Sequence, residues 1–356
     1  MSGADPRPAA PALVPRAERI WRAGGLSVRW RPRAVAVSLA LVVLVAACAV
    51  AGLLVGTLPI GLADLAGVAA GSADERISRI VSGVRVPRVV TGIFVGAALG
   101  ASGAAFQSIS RNALGSPDII GFVTGAATGA VVAITVFGAS GIVVAGAAVA
   151  GGVITALAVV LLSGGSRGDA GHRLILVGIG AGALLAAVNA VMLTRTDANV
   201  AIAAQIWLTG TLNARTAEQA LTAVVAVAVL LPPLVALSRR LEVMEMGDEF
   251  AAGVGVPIAA VRRATVIVAV ALAAVATALC GPISFVALAA PHLARRLLGG
   301  AGVPVLGAAL TGSVLLVGAD LATQLLPFGL RVPVALMTGV LGGVYLIWLL
   351  TRSRRL

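Results

Sequence analysis

The stretch AVAVSLALVVLVAACAVAGLLVG, Ala34 to Gly56, runs for 23 residues without a charge. At about 1.5 Å per residue, a helix of that length covers a hydrocarbon core about 30 Å thick. Before it lie residues 1–33, which are polar, proline-rich and basic, and read as a disordered tail on the cytoplasmic side. Ala46-Ala47-Cys48 imitates a lipoprotein cleavage site, but the segment ahead of it is too long. The apolar run also exceeds the roughly 7–15 residues of a signal sequence's core. A membrane span is the reading. Nine further apolar segments follow at 89–108, 118–137, 141–162, 174–193, 219–237, 264–280, 283–299, 303–322 and 334–350. The segment at 283–299 is short and contains Pro291. Nothing between the spans is large enough for a soluble domain. The expectation is one all-α integral membrane unit of about ten transmembrane helices, occupying residues 34–352.

Composition agrees. Of the 356 residues 59% are hydrophobic and 11% charged, and mean hydropathy is +1.06; soluble domains hold about 45–50% apolar and about 25% charged residues. A net charge of +12 on so few charged residues does not make a nucleic-acid face. All 26 basic residues are Arg. Without Lys there is no Walker A lysine and no Schiff-base chemistry, so this chain is not itself a P-loop ATPase. Cys48 and Cys280 both fall in apolar runs and form no disulfide framework.

Arginine placement sets the expected orientation. With the N-terminus inside and the spans alternating, 19 of the 26 Arg fall on cytoplasmic segments. The other seven (Arg76, Arg79, Arg85, Arg88, Arg195, Arg215 and Arg331) fall outside. Both termini are therefore expected in the cytoplasm. Small residues recur at four-residue spacing, with Gly96 and Gly100 in the second span and Gly121, Gly125 and Gly129 in the third. Such faces let helix backbones approach closely. Gly96-Ala97-Ala98-Leu99 is echoed by Gly307-Ala308-Ala309-Leu310, an internal-repeat signal.

Ion-coupled carriers hold ionisable groups inside the bilayer. Here Asp320 is the one acid well within an expected span, near its outer end, while His172 and His292 fall near inner boundaries. There is no zinc spacing, nucleophile elbow or pair of carboxylates in one loop, so no enzyme is expected. Four of the 14 acids, Glu242, Glu245, Asp248 and Glu249, cluster in the cytoplasmic segment 239–263. There Asp248 can cap a short helix through Ala252, Gly253 and Gly255 break it, and Pro257 suits the first turn of a second helix. Two short helices of this kind make either a docking knob or an ordinary solvated loop.

Several ordered motifs carry a resemblance. Arg85-Val86-Pro87-Arg88, Gly96 to Leu99 with Ser102-Gly103 and Gln107, Arg111-Asn112 and Ser116-Pro117-Asp118 come first. Gly247-Asp248-Glu249 with Gly253-Val254-Gly255-Val256, Gly281 to Val286, and Pro291-His292-Leu293-Ala294-Arg295 follow. Together they resemble the FecCD/BtuC-type permeases, the membrane subunits of type II ABC importers for iron–siderophore complexes, haem and vitamin B12.

The resemblance implies ten helices per subunit in the inner membrane and two permease subunits, identical or paralogous, around a pathway. It also implies separate ATPase subunits that bind ATP and Mg²⁺, an extracytoplasmic binding protein, no cofactor on this chain, and ferric siderophores as the favoured cargo. Met246, Gly247, Asp248, Glu249, Gly253 and Gly255 correspond to the ATPase-coupling region. Arg85 and Arg88 correspond to binding-protein docking positions, and Gln324 stands where a third basic residue is expected, with Arg331 nearby as its substitute. Ala113 replaces the family's usual Pro. Ala170, Gly171 and His172 correspond to an inner gate. Gln107, Asn189 and Gln205 are either pathway residues or helix–helix hydrogen-bonding groups. The alternatives are an ion-coupled carrier using Asp320 and a membrane scaffold without transport.

Overall fold

A computed structural model of the chain describes residues 19–23, 26–30, 32–118, 120–163, 170–300, 302–326 and 332–353. Its first elements depart from expectation. Within the supposed disordered tail, β1 (Arg19–Ala23) and β2 (Leu26–Trp30) pair antiparallel, with Arg19 opposite Trp30. Ile20, Trp21, Val28 and Trp30 are β-forming types, and Gly24-Gly25 separates the two runs in sequence.

Among the described residues every other regular element is helical. Helix α1 (Pro32–Leu54) opens with proline at its first position, where the fixed φ and missing N–H cost nothing. Two short helices then appear in what reads as a loop, α2 (Leu62–Ala70) and α3 (Glu75–Ile80). A five-residue π-helical turn, Val81–Arg85, runs straight into α4 (Val86–Ser110). The order continues with α5 (Phe122–Phe137), α6 (Ile142–Ser163), α7 (Ala170–Thr194) and α8 (Ala198–Leu208). It closes with α9 (Ala217–Glu245), α10 (Asp248–Gly253), α11 (Ile258–Cys280), α12 (Val286–Leu298), α13 (Val305–Gln324) and α14 (Val334–Ser353).

Among the described residues, seven helical stretches are long and apolar enough to cross a bilayer: α1, α3 through α4, α6, α7, α9, α11 and α13. Helices α5 and α14 are apolar but contribute shorter stretches. The segment expected to span at 283–299 forms the 13-residue α12, a rod of about 20 Å. Gly281 and Phe285 adopt positive φ ahead of it, which ends α11 and delays the next helix.

Helix α4 is the axis of the bundle. Its most apolar window is 83% buried, against 6% for α1, whose face of Leu39, Val42 and Val43 is exposed. Helices α9, α11, α12 and α13 surround α4, while α5 and α6 form a second closely packed pair. The small residues set these distances. A methyl at Gly96 would lie 2.5 Å from the Gly312 carbonyl oxygen, and one at Gly100 would run into the Ala308 carbonyl. The echoed Gly-Ala-Ala-Leu segments thus lie on α4 and α13, which pack antiparallel. Gly125 and Gly129 meet Gly151 of α6 in the same way. Gly121, expected on that helical face, is instead the N-cap of α5 at φ +85°, so it turns the chain before the helix begins.

Candidate functional site

The two ends of α4 carry most of the polar chemistry. At its first turn, Arg88 Nε and Nη2 each donate to an Asp320 carboxylate oxygen at 2.8 Å, joining α4 to α13. Gln324 Nε2 donates to the same carboxylate at 3.1 Å. Arg85 is only 7% exposed. Its guanidinium donates to the carbonyls of Leu53 (2.5 Å), Leu54 (2.9 Å) and Leu58. Those carbonyls end α1 and begin the following loop, so Arg85 satisfies groups that a helix C-terminus leaves open. The sequence places this pair at a docking face; the structure turns both side chains inward. Arg331 lies outside the described residues. The exposed arginines nearby are Arg76 and Arg79 of α3, the latter 3.7 Å from Glu75.

At the other end, Arg111 ends α4 in the left-handed region at φ 48°. That conformation throws its side chain across to α9 and α10. It donates twice to the Met244 carbonyl, at 3.1 and 2.8 Å, and again to Asp248. Arg262 of α11 reaches the other Asp248 oxygen at 3.0 Å. Asp248, expected to cap α10, is instead the helix's first residue, with Gly247 at the N-cap at φ 126°. Its carboxylate is taken by two arginines. Burial alone would raise the Asp248 carboxyl, but hydrogen bonding and charge from Arg262, then from Arg111, outweigh it and hold the group below the ordinary carboxylate value.

Further pairs tie this end together. Arg295 of α12 meets Glu245 at 2.8 Å, Glu242 accepts from the Val303 N–H at 3.3 Å, and His292 Nε2 donates to the Ala113 carbonyl at 3.0 Å. Ala251 is fully buried and seats α10 against the bundle. Phe250 of α10 is 50% exposed, and the apolar residues that flank the helix, Met246 before Gly247 and Val254 after Gly253, are 70% and 58% exposed. Glu249, Gly253 and Gly255 are exposed as well, and Gly255 turns the chain at φ +83° toward α11. Sequence reasoning misses these exposed apolar side chains and gives Arg111 no role.

The remaining positions are dispersed. Gln107 is buried and donates to the Leu288 carbonyl at 3.0 Å, a helix–helix hydrogen bond. Asn189 is buried, its Oδ1 without a hydrogen-bond partner among the described residues, and Gln205 is exposed. Ala170, Gly171 and His172 open α7, but their side chains lie outside the described residues. No group of three metal-binding side chains occurs among the described residues.

A lipid-facing helical bundle with a knob at one end, and a sequence with no nucleotide-binding lysine, has the architecture of a transport permease. The chain belongs to the FecCD transport family, whose profile matches residues 39–352. It is 42% identical over 315 residues to the ferric enterobactin transport system permease protein FepG of Escherichia coli strain K12. That match covers 88% of this chain and 95% of the relative. It is 35% identical to the achromobactin transport system permease protein CbrC of Dickeya dadantii strain 3937, over 94% of this chain and 97% of that one. A solved inward-facing conformation of a metal-chelate type ABC transporter superimposes with a TM-score of 0.78 at 26% identity. That likeness covers 89% of this chain and 99% of the other. The protein is thus a multi-pass permease subunit of an ABC importer, and ATP hydrolysis belongs to separate subunits.

Proposed function

We propose that this permease imports ferric siderophores, taking them from an extracytoplasmic binding protein and driven by ATPase subunits that bind ATP and Mg²⁺. The names of the enterobactin and achromobactin relatives support that cargo class. In this reading the bundle crosses the inner membrane ten times, α5, α12 and α14 completing the seven longer spans, with both termini cytoplasmic and residues 1–33 and 34–352 as tail and permease domain. A second permease subunit completes the pathway, and Ala170, Gly171 and His172 border its inner gate.

The observation that carries the reading is α10. It is a short helix clamped by the Arg111–Asp248–Arg262 network, with Phe250 exposed on it and Met246 and Val254 exposed at its two ends. That is the shape required to seat in a cleft of an ATPase subunit and pass its movement to α4 and α11. At the opposite end, exposed Arg76 and Arg79 of α3 supply charge for a complementary binding protein. Arg85 and Arg88 support that face from beneath by fixing α1, α4 and α13. Asp320, the acid on which the ion-coupled alternative relies, is already engaged by Arg88 and Gln324.

Uptake of radiolabelled ferric siderophore, haem and cobalamin in a strain lacking the native permease tests the cargo. Accumulation of ferric siderophore alone, lost on replacing Asp248 and Glu249 with Arg, is the expected result. Unchanged uptake by that variant removes α10 from the coupling path, and cobalamin uptake alone overturns the cargo.

A further inference from the structure

The C-terminal end of α12, the first turn of α1 and the last turns of α14 meet at one edge of the bundle. Exposed Arg33 of α1 donates to two carbonyls of the last turn of α12, to Leu297 at 3.1 Å through Nε and to Arg296 at 3.4 Å through Nη2. Arg296 is also exposed, and its guanidinium carbon lies 5.1 Å from the centre of the Trp348 ring on α14. Tyr345 packs against Trp348 with centroids 6.1 Å apart, and its hydroxyl is buried without a hydrogen-bond partner among the described residues. Arg295 is compensated by Glu245. Among the described residues no carboxylate lies within ion-pair reach of Arg33 or Arg296. Two arginines of adjoining elements therefore lie at this edge without a counter-ion among the described residues.

The neighbourhood says where a counter-ion would come from. Next to Arg33, α1 exposes Val35, Leu39, Val42 and Val43; next to Trp348, α14 exposes Val344 and Ile347. Both faces are apolar and exposed among the described residues, so the arginines stand where lipid-facing surface gives way to polar surface. Trp and Tyr concentrate at that depth, and a guanidinium matches a phosphate's oxygens in two-point geometry. Basic pockets between helix ends bind anionic lipid headgroups. A lipid phosphate reaches these residues with its chains already along the apolar faces of α1 and α14, which adds apolar contact that a soluble anion lacks.

We infer that Arg33 and Arg296, backed by Trp348 and Tyr345, form a binding site for the phosphodiester headgroup of an anionic phospholipid. The leaflet it occupies rests on the orientation proposed above; the site does not depend on cargo or on ATPase coupling. Arg33 would then serve twice, satisfying the α12 carbonyls and offering its remaining N–H groups to the phosphate.

Native mass spectrometry of the full-length protein, purified in neutral detergent with equal phosphatidylglycerol and phosphatidylcholine, tests this. Retained phosphatidylglycerol adducts should exceed phosphatidylcholine adducts. Arg296→Gln, which leaves the α12 carbonyls capped, should reduce that preference about fivefold. Arg296→Lys keeps the charge and should retain most of it, and Arg33→Gln should match Arg296→Gln. Equal phosphatidylglycerol occupancy in the parent and Arg296→Gln overturns the site. Displacement of the lipid by excess inorganic phosphate overturns the lipid assignment in favour of a free anion. Adduct formation is read without transport, so failure of the import reading leaves this result standing.

Discussion

Arg88 and Asp320, 232 positions apart in sequence, are joined by two hydrogen bonds of 2.8 Å, and their side chains are 21% and 6% exposed. The carboxylate lies inside the α4–α13 contact that Gly96 and Gly312 bring to backbone distance. Removing one partner strands the other charge, so Asp320→Asn or Arg88→Gln should each destabilise by about 3 kcal/mol. The Arg88→Leu/Asp320→Leu double variant should be much closer to the parent. Thermal unfolding in a fixed detergent gives the comparison, and strictly additive losses would show that the two groups do not act as a pair.

Asp248 gives a pH dependence with a defined sign. Its carboxyl is held below the ordinary value by Arg262 and Arg111 against the opposing effect of burial. A group depressed in the folded state contributes stability above its unfolded pKa of about 3.9, and loses it as pH falls through the lower folded value. The clamp on α10 should therefore be complete at neutral pH and release only below about pH 4. Pepsin cleavage within residues 246–256, followed against pH, should rise in that acid window. In Asp248→Asn it should be faster throughout and lack the step; an unchanged step would place the titration on another carboxylate.

The spans were legible because an uninterrupted apolar run has one physical outlet, and α1, α4, α6, α11 and α13 follow from it. What hydropathy cannot carry is the partner of a charge. Arg85 and Arg88 sit on segments that read as external, which suggested exposed docking groups. Nothing local shows that Arg85 turns back onto the carbonyls of Leu53, Leu54 and Leu58, or that Arg88 finds Asp320. Helices α2 and α3 escaped notice because they are short and mixed in polarity. The Asp248 cap failed for a related reason. Cap rules weigh the local backbone alone, and here two distant guanidiniums compete for the same carboxylate and win. The family motifs were legible as an ordered set, yet the exposure of Phe250 on α10 needed the helix to be seated first, with Ala251 inward.

The glycine contacts separate closeness from mere abundance. Gly100 of α4 and Gly125 of α5 admit no side chain, because a methyl would overlap the Ala308 carbonyl and Thr155 Oγ1 respectively. At Gly318 and Gly339 an added methyl would meet nothing within 4 Å. Gly100→Ala should thus cost at least about 1–3 kcal/mol through forced separation of α4 and α13, and Gly100→Leu should prevent folding. Gly318→Ala should be neutral or slightly stabilising, by about 0.5 kcal/mol, since it restricts the unfolded chain. Expression level and unfolding temperature of the alanine pair decide it; equal losses would mean that helix propensity rather than contact governs both sites.

Phe250 offers the most selective probe of the coupling helix. It is 50% exposed on α10, is flanked in the chain by exposed Met246 and Val254, and takes no part in the arginine clamp. Phe250→Ser should leave the permease's unfolding temperature nearly unchanged, because surface substitutions of this kind fall within about 0.5 kcal/mol. If these side chains seat in the ATPase subunit, the same change removes an aromatic anchor from the contact. Such anchors cost about 2 kcal/mol or more when truncated, roughly a thirtyfold loss of affinity. Binding of purified ATPase subunit to permease in nanodiscs measures that loss directly. Asp248→Asn should weaken the same association less, since it loosens the support of α10 without removing its exposed aromatic ring. An ATPase affinity that is indifferent to Phe250 but abolished by Asp248→Asn would transfer the contact from the exposed apolar side chains to the clamp itself.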